Sequence, residues 1–112
     1  MGLVNDDLYI MDENHNVIPE PDIRKWGEWM EKNHFNRQIK REELLPGVVV
    51  STVFLGMDHS FPAGKPPILF ESMVFGGDAD QYQRRCSTYE EALQMHEDMK
   101  WYALLHAPGD DD

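Results

Sequence analysis

Two apolar, β-prone segments dominate the middle of the chain: 48–57 (VVVSTVFLGM) and 68–75 (ILFESMVF), joined by a connection containing Pro62, Gly64, Pro66 and Pro67. Segments of this length, separated by turn formers, predict an antiparallel hairpin with a long connection. In the first, Val48, Val50, Thr52, Phe54 and Gly56 point to one side, and Val49, Ser51, Val53, Leu55 and Met57 to the other. Both rows are apolar, which predicts a central strand covered on both faces. The second segment sets Ile68, Phe70, Ser72 and Val74 against Leu69, Glu71, Met73 and Phe75. Glu71 breaks its row. A carboxylate there either reaches solvent at a sheet edge or pairs with a base such as Arg84 or Arg85.

The rest of the chain reads as cover for that hairpin. Residues 8–11 and 17–18 flank the turn formers Asp12, Glu13, Asn14, His15 and Asn16, predicting a short hairpin at a sheet edge with His15 exposed at its tip. Pro19, Pro21 and Asp22 then set up a helix over 23–34. Its apolar arc is Ile23, Trp26, Trp29, Met30 and His34, read as core, and Gly27 is expected to mark close approach to a strand. Residues 36–44 suit an edge strand or a short helix; the strand is favoured because Pro46-Gly47 then turns into Val48. A second helix spans 88–103, with Ser87 as cap and Glu90 closing a capping box. Tyr89, Ala92, Leu93, His96, Met99 and Ala103 form its sheet-facing arc. Glu90, Glu91, Gln94, Glu97 and Asp98 face outward, and Trp101 projects onto that acidic arc. The sum is one α+β domain: an antiparallel sheet of about four strands, two amphipathic helices, and loose ends at about 1–7 and 107–112.

Bulk composition narrows the partners. Hydrophobic residues make up 41% of the 112, which places the chain among globular proteins. No apolar run reaches membrane-spanning length, so a soluble, cytosolic protein with no membrane partner is expected. A single cysteine, Cys86, rules out an internal disulfide and argues against a cysteine-built zinc site. It reads as a small semi-buried residue before a helix. Twenty-one Asp and Glu against ten Lys and Arg give a net charge of −11. Such a surface repels phosphate backbones, so direct nucleic-acid binding is disfavoured and a basic protein partner or a cation is favoured. Solubility alone is the competing explanation.

No phosphate-cradling loop, nucleophile elbow or HExxH spacing is present. The residues with chemical potential are Asp58 and His59 at the end of the first apolar segment, with Glu71 and His96 as companions. Together they could form a metal or acid/base site. Yet neighbours on a strand point to opposite faces, and His96 lies mid-stripe on an apolar arc. Structural roles account for all four: Asp58, with Ser60, organises a turn, His59 is exposed, Glu71 reaches solvent or an arginine, and His96 is a hydrogen-bonded core histidine. No cofactor is implied.

The strings VSTVFLGMDHSF, PPILFESMVFGG and RCSTYEEALQMHEDM, with the opening LYIMDENHNVIPEPDIRKWGEWME, resemble a small uncharacterised family encoded by tailed phages and prophages. The resemblance runs from Leu8 to about Met99. The acidic tail and the 61–67 loop, where a more glycine-rich run is expected, depart from it. The family has no assigned activity, so no catalytic residues carry over. What the resemblance implies is context: an accessory phage protein in the cytoplasm of an infected or lysogenic bacterial host.

Two functions follow as expectations. In the first, an acidic binding protein blocks or redirects a basic host protein, such as a nucleic-acid-handling or CRISPR-type defence complex. Contact would run through Glu90, Glu91, Glu97, Asp98, Trp101 and Phe61, and reversing Glu91 and Glu97 would leave stability nearly unchanged. In the second, a small enzyme is centred on His59, Glu71 and His96 with Asp58. An accessory protein with no discrete site is the remaining alternative. Convergence of two or more candidate side chains in a pocket favours the enzyme; a flat or convex surface lined by carboxylates favours the binder. A homodimer is also expected, because two helices are too few to cover both faces of the sheet.

Overall fold

Eight elements follow one another along residues 6–60 and 66–106, the parts of the chain that the computed structural model describes. They are β1 (Tyr9–Met11), β2 (Val17–Pro19), α1 (Ile23–Lys32), β3 (Gln38–Leu45), β4 (Val48–Phe54), β5 (Phe70–Phe75), β6 (Gln83–Cys86) and α2 (Tyr89–Leu105). The two apolar segments pair antiparallel as β4 and β5, with Val50 opposite Val74, Thr52 opposite Ser72 and Phe54 opposite Phe70. β3 and β6 flank them in the order β3-β4-β5-β6, giving the four-stranded antiparallel sheet of an α+β fold. Residues 36–44 thus supply the edge strand favoured from sequence. The fourth strand, β6, was not foreseen; its four residues, Gln-Arg-Arg-Cys, carry no apolar alternation. Arg85 of β6 stands opposite Glu71 and its Nε donates to Oε2 at 2.9 Å, so the misfit carboxylate is paired as expected.

Burial follows strand parity closely. Along β4, Val48, Val50, Thr52 and Phe54 are buried, while Val49, Ser51 and Val53 are half-buried. Along β5, Phe70, Ser72 and Val74 are buried, Glu71 and Met73 are half-buried, and Phe75 is exposed. α2 covers the buried face with Ala92, Met95, His96, Met99 and Ala103. The expectation of a strand covered on both faces is therefore corrected: among the described residues, the sheet is covered on one face.

The missing cover is explained by α1. Asp22 caps it, accepting from the amides of Arg24 and Lys25, and the helix spans Ile23–Lys32 rather than 23–34, so His34, read as core, lies beyond it and exposed. But the helix lies against β1 rather than along the four-stranded sheet, and it fully buries none of its residues. Ile23, read as core, is 55% exposed. The inner side of the stripe is real: the indole Nε1 of Trp26 donates to the carbonyls of Tyr9 and Gly56, and Trp29 packs edge-on against Phe54. Gly56 adopts φ +79°, and a Cβ there would lie 2.7 Å from the Met30 thioether. That is the glycine this packing requires; Gly27, expected to mark a close approach, faces open space.

β1 and β2 form their own two-stranded sheet rather than an edge of the larger one. A bridge between Leu8 and Met57, and the amide of Tyr9 on the Gly56 carbonyl, tie the two sheets together. His15, at φ +67°, is not simply exposed at the tip: its ring stacks on Tyr89 at 4.1 Å. The hairpin is thereby tied to the start of α2. That helix is capped one residue later than expected. Thr88 accepts from the amide of Glu91, and the Glu91 carboxylate accepts from the amides of Ser87 and Thr88. Ser and Thr are adjacent and chemically similar here, so sequence alone could not choose between them. Of the expected loose ends, Asp6 and Asp7 are described; residues 1–5 and 107–112, like Phe61, lie outside the described residues.

Candidate functional site

The four side chains proposed as a catalytic set are held apart. Glu71 points to the uncovered face of the sheet and is engaged by Arg85. Asp58 accepts from the backbone amides of Ser60 and Ile68, closing the turn after β4. Those amide bonds outweigh its partial desolvation and hold the carboxyl below the usual Asp range. His59 is exposed and donates Nδ1–H to the carbonyl of Met57, two residues away. His96 lies on the opposite face from Glu71, beneath α2 and completely buried.

Around His96 the sequence builds a chain that spans four elements. Its Nε2 is 2.8 Å from Glu42 Oε1 on β3, its Nδ1 is 2.7 Å from Thr52 Oγ1 on β4, and that hydroxyl is 2.5 Å from Ser72 Oγ on β5. A carboxylate only accepts, so Nε2 carries the proton and Nδ1 accepts from Thr52. Thr52, having donated, accepts from Ser72. Each proton in the chain is thus assigned: Ser72 to Thr52 to His96 to Glu42. Burial disfavours the charged ring more than the Glu42 carboxylate favours it, so His96 titrates below its ordinary value. It is neutral at physiological pH.

This polar row lies between two apolar clusters. Val48, Val50, Val74, Met95 and Met99 pack on one side of it, and Met11, Phe54, Leu69, Phe70 and Ala92 on the other. The row reaches solvent at the β3 edge, where Lys100 pairs with Glu42 and Glu97 at 3.3 and 3.2 Å, and Lys40 reaches Glu97 at 3.3 Å. The hydrogen bond from His96, joined by Lys100, holds the Glu42 carboxyl below its usual range, and hydrogen bonds from Lys100 and Lys40 do the same for Glu97. A hydroxyl hydrogen-bonded to a histidine that is in turn bonded to a carboxylate shares the orientation logic of nucleophile triads. Here, however, Thr52, Ser72 and His96 have no exposed surface, so the chain serves to satisfy and fix the core.

Cys86 is equally unsuited to nucleophilic work, since burial, then the Glu91 carboxylate, pushes its thiol up to about 11. Among the described residues, no group of three or more His, Cys, Asp or Glu side chains converges as a metal site would require. A cleft of about 580 Å³ opens between the β1–β2 turn and the end of α1, lined by Asp12, Glu13, His15, Trp29 and Phe35 among others. None of the four catalytic candidates lines it.

The outer face of α2 is arranged differently from the expected row of free carboxylates. Glu91 is engaged in the capping box and Glu97 in lysine pairs. Reversing these two removes the Glu91 half of the capping box and two ion pairs, contacts that the expectation of unchanged stability does not count. Glu90 and Asp98 remain outward, the latter accepting from Gln94 Nε2 at 2.9 Å. With Trp101 and Leu105 they form one stripe at positions 90, 94, 98, 101 and 105, the spacing of a single helix face. Trp101 is 67% exposed and Leu105 74%. Leu105 was missed from sequence because the helix was ended at 103; it runs on to Leu105.

Comparison with protein-family models, curated proteins and solved structures finds no match. Among the described residues, no helix is long and apolar enough to cross a membrane.

Proposed function

We propose that this protein is an acidic binding protein whose α2 outer face engages a basic protein partner. The observation that carries the reading is the exposed Trp101, held at the end of a stripe that also presents Glu90 and Asp98. A tryptophan left in water on a rigid, well-capped helix costs hydrophobic free energy that a partner surface recovers. Tryptophan is among the commonest interface anchors. The carboxylates beside it favour lysine and arginine on the other side. Glu90 and Asp98 stand exposed beside Trp101, as a binding surface requires, and the dispersal of Asp58, His59, Glu71 and His96 weighs against the enzyme reading. In the context suggested by the phage-family resemblance, the partner is a basic host protein of a nucleic-acid-handling or defence complex. Binding there blocks or redirects it by occupying a surface built for a polyanion.

The test uses surface variants that leave the fold intact. A partner captured from bacterial lysate should bind the native protein quickly at low ionic strength and weaken steeply with added salt. Glu90→Lys with Asp98→Lys should slow association at least tenfold, and Trp101→Ala should accelerate dissociation. If both variants retain native affinity for the captured partner, α2 is a solvated face and the proposal is wrong.

A further inference from the structure

The uncovered face of the four-stranded sheet is the largest feature that the α2 reading leaves unused. Val49, Val53, Met73 and Phe75 lie together on it, and no described helix packs there. Phe75 is 47% exposed. We infer that a second copy of this chain covers this face, so that two sheets pack back to back with α2 on the outside of each.

Charge singles out the occupant. The molecule carries −11, and most surfaces of one copy repel another. This face is the exception. Strand register places Arg41 and Glu43 of β3 beside Val49 and Ser51, and the Glu71–Arg85 pair beside Val53 and Met73. Two guanidiniums and two carboxylates make it neutral, so charge does not oppose the approach of a second copy there. A strongly basic partner gains nothing there. Pairing through the sheets also sets the two acidic α2 faces on opposite sides of the assembly, well beyond the ~8 Å screening length at physiological salt.

The extent of the face sets the strength. Four strands about 4.8 Å apart and roughly six residues long, at about 3.3 Å each, give a flat footprint of roughly 400 Å². That is about half the ~800 Å² per partner of a standard interface. The dimer is therefore a weak one, whose population depends on protein concentration.

Sedimentation across roughly 1–200 μM protein tests the inference. The native chain should move from 13.1 kDa toward twice that mass. Val53→Arg and, separately, Phe75→Arg should weaken the dimer at least tenfold while circular dichroism stays native. Both sites are used so that a folding defect in one does not end the test. Trp101→Ala should leave the dimer unchanged. A monomer throughout the range overturns the inference. So does a dimer that survives both arginine variants, or one that dissociates on Trp101→Ala, since α2 would then be the self-association surface.

Discussion

Replacing Thr52 by valine tests the buried polar chain with almost no change in shape. The substitution exchanges a hydroxyl for a methyl at a site with no exposed surface, leaving His96 Nδ1 without its donor and Ser72 without its acceptor. A buried polar group left unsatisfied costs about 1–3 kcal/mol. Ser72 can turn its hydroxyl elsewhere, so the two losses together come to about 2–4 kcal/mol. For a domain near 100 residues this lowers the melting temperature by roughly 8–16 °C. Urea denaturation followed by circular dichroism at pH 7.5 reads it as a lower midpoint at unchanged slope. Adding Ser72→Ala should cost less than its single-variant value, because one orphaned group is then gone. Ser51→Ala, one residue away on the uncovered face, should stay within about 0.5 kcal/mol of native. If Thr52→Val is as stable as the native protein, or Ser51→Ala is equally damaging, the assigned chain of donors and acceptors is wrong.

The same chain makes stability depend on pH in a defined direction. His96 titrates below its unfolded value of about 6.5, so the unfolded state binds more protons as pH falls below that value. Stability measured by urea midpoints should therefore be full above about 6.5 and decline as pH falls toward 5, before Glu42 and Glu97 begin to titrate. His96→Gln should flatten that decline; an unchanged profile would show that another group causes it. Phe54, which has no exposed surface and touches Trp29 and Phe70, should cost roughly 3–5 kcal/mol when truncated to alanine, read from equilibrium unfolding. Gly76→Ala should destabilise by more than 1 kcal/mol in the same assay, since its φ is +87° and a Cβ would collide with the Gly47 carbonyl oxygen.

What the sequence made legible was local. The alternation in 48–57 and 68–75 identified β4 and β5, and the odd carboxylate at Glu71 called for solvent or for Arg84 or Arg85, a choice that only the register of β6 makes. The helices were found by spacing, but their burial was not. An arc at helical spacing says that one side is apolar without saying what covers it, and α1 covers a small hairpin instead of the sheet. The apolar arc of α2 is centred too far toward Leu93: that residue and Met95 lie about 160° apart around the helix, at opposite edges of the arc, and the sheet meets the Met95 edge. Leu93 is 38% exposed and Met95 5%. β6 was invisible because it joins an existing edge by backbone pairing, which Gln83, Arg84 and Arg85 permit without any apolar signal. The polar chain was invisible for a stronger reason. His96 meets Thr52 and Glu42 across 44 and 54 residues, and no spacing rule reaches that far. Sequence did mark His96 as a hydrogen-bonded core histidine, since a lone imidazole in an apolar stripe must be satisfied.

Contact through the outer face of α2 is examined directly by a photo-reactive amino acid placed at position 101. Irradiation in bacterial lysate should join the probe to a basic protein, with the yield falling when salt is raised and when Glu90 and Asp98 are both changed to lysine. The same probe at Val53, within the proposed dimer face, should label the chain's own copy and not that protein. A probe at 101 that captures nothing salt-sensitive, while the probe at 53 captures the foreign partner, would contradict the assignment.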